Sequence, residues 1–375
     1  MIYLDNAATT PLTPAVIQSM AAVMSDNFGN PSSIHAYGRK ASHLLRDGRL
    51  TIAKILGTQP RNLIFTSGAT ESNNMAIQGY ALANQDKGKH LITTAIEHHS
   101  VLHVMDYLEK RFGFQVTYLQ PDENHQFSPE ALKAALREDT ILVSTMLANN
   151  ETGDLLPIAE FAQVLANHQA VFHVDAVQAT GKIPVRPEAE GLGVDFLSAS
   201  AHKFHGPKGV GFLYAKPHHM DNLLHGGEQE EKRRASTENM IGITGMAQAF
   251  KEADQLQEEN YQKISQLGED FLKQLSQKGV DYYLNGGPNR LPHVINIGFP
   301  GQNNGLLLTQ LDLAGFAVST GSACTAGTVE PSHVLQAFYG TDSPRLSESI
   351  RISLSDLNTS EELSQLATKL KEIIG

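Results

Sequence analysis

The sequence predicts an α/β protein, in which a mostly parallel sheet is covered by helices and followed by a smaller α+β region. Two features of the pattern carry this. Short apolar runs recur at residues 62–66, 90–95, 141–147, 171–174, 196–200 and 209–215, and segments such as 128–136 and 158–167 between them place apolar residues at helical spacing. Strands that are apolar on both faces and separated by helices belong to a sheet buried on both sides, which is the setting of parallel strands. The texture then changes after about Gly245. Residues 252–278 read as one long charged helix, 293–299 as a strand, 305–314 as a helix, 349–355 as a strand and 360–374 as a closing helix. This divides the chain into a large unit over 15–250 and a smaller one made of 1–14 with 251–375.

Composition narrows the function. A chain of 375 residues, 41% hydrophobic and 18% charged, has the make-up of a globular protein with one large core and a lesser one. A net charge of −11 argues against direct binding of nucleic acid, which needs a basic face. The nearest candidate, Lys232-Arg233-Arg234, is offset by Glu228, Glu230 and Glu231. No apolar run approaches the roughly 20 residues that span a bilayer. The opening Met1-Ile2-Tyr3-Leu4-Asp5-Asn6 lacks the basic-then-apolar pattern of a signal peptide. A cytoplasmic protein with no membrane association is expected. A single cysteine excludes an intrachain disulfide framework and a cysteine-built zinc site.

Ligands of open α/β sheets bind beyond the carboxyl ends of the strands, so the residues that follow each apolar run matter most. After the first comes Ser67-Gly68-Ala69-Thr70-Glu71-Ser72, and after the second Glu97-His98-His99. Asn149-Asn150-Glu151-Thr152-Gly153 follows the third, Asp175-Ala176-Val177-Gln178 the fourth, and His202-Lys203 the fifth. Taken singly, each has a plain structural reading. Ser67-Gly68-Ala69-Thr70 caps a helix as readily as it cradles an anion, Asp175 could be a cap, and Lys203 could be a surface lysine. The longer P-loop and dinucleotide fingerprints are absent. Taken together, Lys203 as a Schiff-base amine, Asp175 as an acidic partner and the Ser67–Thr70 stretch as a phosphate cradle are the three requirements of pyridoxal phosphate. The histidines match no common zinc pattern; His98 is kept as a ring that could stack on a planar cofactor.

The stretch Val318-Ser319-Thr320-Gly321-Ser322-Ala323-Cys324-Thr325-Ala326-Gly327-Thr328-Val329-Glu330-Pro331-Ser332-His333 places the lone thiol among small polar residues. A packing cysteine would sit among bulky apolar ones, so a loop over about 319–333 that carries a working thiol is expected. No Lys or Arg lies between Val318 and His333 to lower its pKa.

"YLDNAATTP", "GNPSSIH", "TSGATESNN", "EHHSVL", "NNETG", "HVDAVQ", "SAHKFHGPKGVGFLY", "GGEQE", "STGSACT" and "IRISLS" together resemble the cysteine desulfurases. These are class V aminotransferase-like enzymes of fold type I, and the likeness is to the long-catalytic-loop branch typified by housekeeping and nitrogenase-associated desulfurases. The resemblance spans nearly the whole chain. It implies a seven-stranded sheet, bound pyridoxal phosphate, and conversion of L-cysteine to L-alanine with a persulfide left on Cys324. It further implies a homodimer and a sulfur-acceptor protein, with the sulfur destined for iron–sulfur clusters or for tRNA and cofactor thiolation. No resident metal is implied, beyond a transient iron–sulfur contact through Cys324.

The family's roles map by position. Lys203 carries the cofactor and acts as base, Asp175 faces the pyridine nitrogen, Gln178 the ring oxygen, and Asn150 lies near the ring. His98 stacks and serves catalysis, while Ala69, Thr70, Ser200 and His202 hold the phosphate. Thr237 reaches the phosphate of the neighbouring subunit. Arg351 clamps the substrate carboxylate with Asn150 beside it, and Asn30 lines the entrance. Ser236 stands where the family usually has glycine, which matters only if that backbone has φ > 0. Selenocysteine lyase or another class V aminotransferase is the runner-up reading, and a non-catalytic scaffold the bland one.

Overall fold

A computed structural model describes residues 1–188, 191–321 and 331–375. Its strands are β1 (Ile2–Tyr3), β2 (Leu63–Thr66), β3 (His90–Thr94), β4 (Gln115–Leu119), β5 (Thr140–Met146), β6 (Val171–Asp175), β7 (Phe196–Ser200), β8 (Gly211–Ala215), β9 (Tyr283–Leu284), β10 (Val294–Gly298), β11 (Phe316–Ala317) and β12 (Ser349–Ser353). Seven of them form one sheet in the order β2-β8-β7-β6-β5-β3-β4. Pairings from β4 through β7 are parallel, and β8 runs antiparallel to both neighbours. β2 therefore points the same way as β7, and the carboxyl ends of β2, β3, β5, β6 and β7 share one edge.

The apolar runs predict the inner strands because those residues are buried on both faces. Alternate residues serve opposite cores: Leu63, Phe65, Phe172 and Phe212 pack on one side of the sheet, Ile64, Val171, Phe196 and Leu213 on the other. Each such side chain contributes about 1.5–3 kcal/mol by leaving water. One face is covered by Ile52, Ala53 and Leu56 of the helix Ala36–Leu56 and by Ile243, Met246 and Phe250 of the helix Met240–Gln255. The other is covered by Val101, Val104, Met105 and Leu108 of the helix His99–Phe112. β4 has no such run, because an edge strand is covered less completely and its Gln115 is exposed.

A second core gathers Leu4, Ile264, Phe271, Ile295, Ile297, Phe299, Leu307, Ile350, Ile352 and Leu366 around the antiparallel sheet β12-β10-β9. The N-terminal arm enters it through β1, which pairs with β11, and through a bridge from Asp5 to Ser353. The single helix expected over 252–278 is instead two, Met240–Gln255 and Gln257–Gln277, with a break at Leu256 (φ −105°, ψ 7°). The break has a packing cause. Met246 and Phe250 face the large core while Ile264, Leu267 and Phe271 face the second, and one straight helix cannot present its apolar stripe to both. Among the described residues, no helix is long and apolar enough to cross a membrane.

Candidate active site

The shared strand edge opens into a cleft of about 610 Å³, within the usual range of small-molecule sites. Ala69, Thr70, His98, Asn150, Asp175, Gln178, Ser200, His202, Lys203 and Arg351 all line it. Asn30 and Thr237 do not.

Lys203 ends a short 3-10 turn (Ala201–Lys203) directly after β7. Its Nζ donates to the carbonyls of Ala7 (2.6 Å) and Ala8 (2.9 Å) in the N-terminal arm. The backbone carbonyl of Lys203 accepts from Lys182 Nζ at 2.9 Å. Burial, with Lys203 next in weight, pulls the Lys182 ammonium down to about 7.

Asp175 is the last residue of β6 and nearly buried. Its Oδ2 accepts from Asn73 Nδ2 (2.8 Å) and its Oδ1 from the Val177 N–H (3.0 Å). Asn73 Nδ2 also donates to Ser100 Oγ (2.9 Å), which bonds His98 Nδ1 (2.8 Å). One polar chain thus runs from Asp175 to His98, the N-cap of the helix His99–Phe112. Burial holds the His98 imidazole below its usual pKa, opposed by Asp175. Gln178 Nε2 donates to Ala7 O (3.0 Å), and its Oε1 lies 3.3 Å from His293 Nε2.

The turn after β2 has the shape that an anion cradle needs. Gly68 (φ +148°) opens the helix Ala69–Asn74 with no side-chain cap, which leaves the first N–H groups to a ligand. β8 approaches so closely that a Cβ at Gly211 would stand 2.9 Å from Gly68 Cα. Burial, then Lys203, Lys208 and Lys182, lowers His202 to about 4, so its ring is neutral at pH 7.

Arg351, in β12, is nearly buried. Nη1 donates to Asn150 O (2.9 Å) and Nη2 to Asp5 Oδ1 (2.8 Å), while its buried Nε–H has no hydrogen-bond partner among the described residues. An orphaned guanidinium donor is costly unless a ligand meets it, and a carboxylate is the fitting one.

Thr237 lines a separate cleft with Phe65, Ser67 and Gly209, and is exposed. It follows a strained turn in which Glu230, Glu231 and Lys232 have φ of 49°, 57° and 69° and Ser236 has φ of 99°. The turn is held by Glu230, whose buried carboxylate accepts from Arg49 Nη1 (2.9 Å), Arg49 Nη2 (2.6 Å) and the Phe65 N–H (2.9 Å). Serine in a left-handed conformation costs about 1–3 kcal/mol, which glycine escapes at an entropic cost of about 0.5–1 kcal/mol. Ser236→Gly is therefore expected to stabilise the protein by about 1 kcal/mol, read as a rise of about 2 °C in thermal midpoint; an unchanged or lower midpoint would refute the strain.

Asn30 is exposed and accepts from the Ser32 N–H at 2.9 Å. Cys324 lies outside the described residues; Gly321, three positions before it, lines the cleft. Several site residues escape sequence reasoning. Ala7, Ala8 and Asp5 sit in the quoted "YLDNAATTP", yet nothing local shows that this arm crosses to Lys203 and Arg351. Asn73, four residues past Ala69 on one helix face, is the exception that spacing could have found.

A strand-end lysine, a hydrogen-bonded aspartate nearby and an uncapped helix start on this sheet define a pyridoxal-phosphate enzyme of fold type I. Residues 2–366 match the family described as aminotransferase class-V, and the chain belongs to that family, which depends on pyridoxal phosphate. A Bacillus subtilis relative is 48% identical over 375 residues, covering 100% of this chain and 98% of its own. The cysteine desulfurase IscS of Dictyoglomus turgidum is 46% identical, covering 100% and 94%. Among solved structures, a NifS-like protein superposes with a TM-score of 0.92 at 36% identity, covering 100% of this chain and 99% of its own. A structure described as SspA in complex with cysteine has a TM-score of 0.85 at 34% identity, covering 96% and 100%.

Proposed function

We propose that the chain is a cysteine desulfurase, which takes sulfur from L-cysteine onto Cys324 and releases L-alanine. One observation carries this reading: Lys203, Asp175 and Arg351 line one cleft, and Gly321, which lines it too, leads within three residues to the sole thiol. The relatives named as cysteine desulfurases support it.

When bound, pyridoxal phosphate supplies the electron sink that makes the α-proton of an amino acid acidic. Lys203 would hold it covalently, with Asp175 at the ring nitrogen, Gln178 at the ring oxygen and His98 over the ring. Ala69, Thr70, Ser200 and His202 would hold the phosphate, and Thr237 that of a second copy. Arg351 and Asn150 would fix the substrate carboxylate, with Asn30 at the entrance. Freed Lys203 then takes the α-proton. The Cys324 thiolate attacks the substrate sulfur; an S–S bond forms, the C–S bond breaks, and its electron pair stays on the substrate carbon. Protonation of that carbon and return of the α-proton from Lys203 give alanine, and the enzyme keeps a persulfide.

A homodimer is part of this reading. Met24 (65% exposed), Phe28 (74%) and Ile34 (92%) are exposed apolar side chains of the N-terminal segment that a second copy could cover. The persulfide would go to an acceptor protein in the cytoplasm, for iron–sulfur clusters or thiolation. Cys324→Ala tests the whole: alanine and sulfide production from L-cysteine should fall to background, at least about 10³-fold, with cofactor absorbance retained. Undiminished sulfide release would sink the proposal.

A further inference from the structure

Residues up to Gly321 and from Pro331 onward flank the segment that carries Cys324, and one buried carboxyl group touches both flanks. We propose that Glu151 is a positioning residue that fastens the two ends of this segment beside the cleft, keeping the thiol within reach of bound substrate. The inference rests on the desulfurase reading and assigns a group that the chemistry above does not use.

Glu151 follows β5 in a turn pinned from both sides. Asn149 Oδ1 accepts from the Glu151 N–H (2.8 Å) and the Thr152 N–H (3.0 Å), and Asn149 Nδ2 donates to Ile96 O (2.9 Å). From the second core, Asn296 Nδ2 donates to the Glu151 carbonyl at 3.0 Å. The side chain is thereby aimed at the segment's flanks. On one, the Ser332 hydroxyl donates to Glu151 Oε2 while accepting the Leu335 N–H (3.1 Å) as N-cap of the helix His333–Tyr339. On the other, Gly321 (φ +90°) lies so close that a Cβ there would stand 2.7 Å from Glu151 Oε2 and 3.0 Å from its Cδ. Only glycine allows this contact, by conformation and by space.

Glu151 is 2% exposed. Burial pushes its pKa up, against Ser332, Arg351 and His99. Arg351 is engaged elsewhere, with Asp5 and the Asn150 carbonyl. A buried carboxyl is an expensive choice for packing alone, and this one touches both flanks.

Chain geometry gives the size of the effect. Cys324 is three residues from Gly321, so its Cα stays within about 11 Å of it. Without the Glu151 contact, Gly321 keeps only its N–H bond to the Ser319 hydroxyl (3.2 Å), and the last backbone pairing is that of Ser319 with Arg351 (N–H to O, 3.1 Å; O from N–H, 2.5 Å). The reach then grows to about 18 Å, and the volume searched by the thiol grows about fourfold, with its effective concentration at the cleft falling by the same factor.

The test uses the holoenzyme, in which Cys324 is the sole alkylation target. Glu151→Ala should slow persulfide formation about fourfold or more and at least double the rate of Cys324 alkylation by iodoacetamide, with cofactor absorbance unchanged. Glu151→Gln, which keeps an acceptor for Ser332, should stay within about twofold of the parent in both. Ser332→Ala should reproduce Glu151→Ala, and the double variant should be no worse than either. Unchanged alkylation in Ser332→Ala or Glu151→Ala overturns the proposal, as does loss of cofactor absorbance in Glu151→Ala; should that variant not fold, Ser332→Ala and Glu151→Gln decide. Alkylation needs no substrate, so it reports on the fastening even where Cys324→Ala has refuted the desulfurase reading.

Discussion

Lys203→Ala is expected to abolish turnover of L-cysteine, lowering the rate at least about 10³-fold, since in the proposed mechanism one side chain both holds the cofactor and moves the α-proton. It is also expected to remove the borohydride-sensitive visible absorbance. The amine is pre-placed by the turn after β7 and by the carbonyls of Ala7 and Ala8. Neither neighbouring amine is a ready substitute. Lys182 Nζ is bonded to the Lys203 carbonyl, and Lys208, although it lines the same cleft, belongs to the loop five residues on. Lys208→Ala is the control, and should keep the absorbance and most of the activity. In the cofactor-free protein the N-terminal arm would lose the two bonds from Lys203 Nζ, worth about 1.5–3 kcal/mol each at most, so a modest fall in its thermal midpoint should accompany the chemical loss. A Lys203→Ala protein with a normal borohydride-sensitive spectrum would show that the cofactor is held elsewhere, and the site assignment would fall with it.

Arg351→Lys should lower kcat/KM for L-cysteine about 100-fold, or about 2.7 kcal/mol, mainly through KM. The guanidinium meets Asp5 and the Asn150 carbonyl with its two Nη atoms and has its Nε–H left over. A lysine ammonium is a point donor on a flexible stem and cannot span Asp5, Asn150 and a carboxylate in one plane. Cofactor absorbance should stay unchanged, because Arg351 sits on the second core rather than on the strand edge that holds Lys203 and Asp175. An unaltered KM would mean that the orphaned donor faces no substrate, and that Arg351 serves only to join Asp5 to the Asn150 turn.

The two cores contribute differently to the site. The strand ends of the seven-stranded sheet supply His98, Asp175 and Lys203 to the cleft, whereas Arg351 and the flank at Ser319 belong to the smaller sheet and its surroundings. Glu151 lies where they meet, with its carbonyl on Asn296 and its carboxyl group on Ser332.

Much of this was legible before any coordinates. Inner strands betray themselves by continuous apolar runs, and a side chain that follows such a run has its direction set by local backbone geometry. Hence His98, Asn150, Asp175, Gln178 and Lys203 could be gathered from the sequence. β4 was not, because an edge strand has no fully buried face to mark it. The break at Leu256 was not, because no glycine or proline signals it; the cause is a change of packing partner.

Sequence alone determined the chemical inventory of the site, since strand-to-turn geometry places each residue relative to its immediate neighbours. Only tertiary structure brought Ala7 to Lys203, 196 positions away, Asp5 to Arg351, 346 away, and Glu151 to Ser332, 181 away. Contacts at such separations are made when whole cores pack against each other, a process governed by summed apolar burial that leaves no periodic trace at the residues it happens to join.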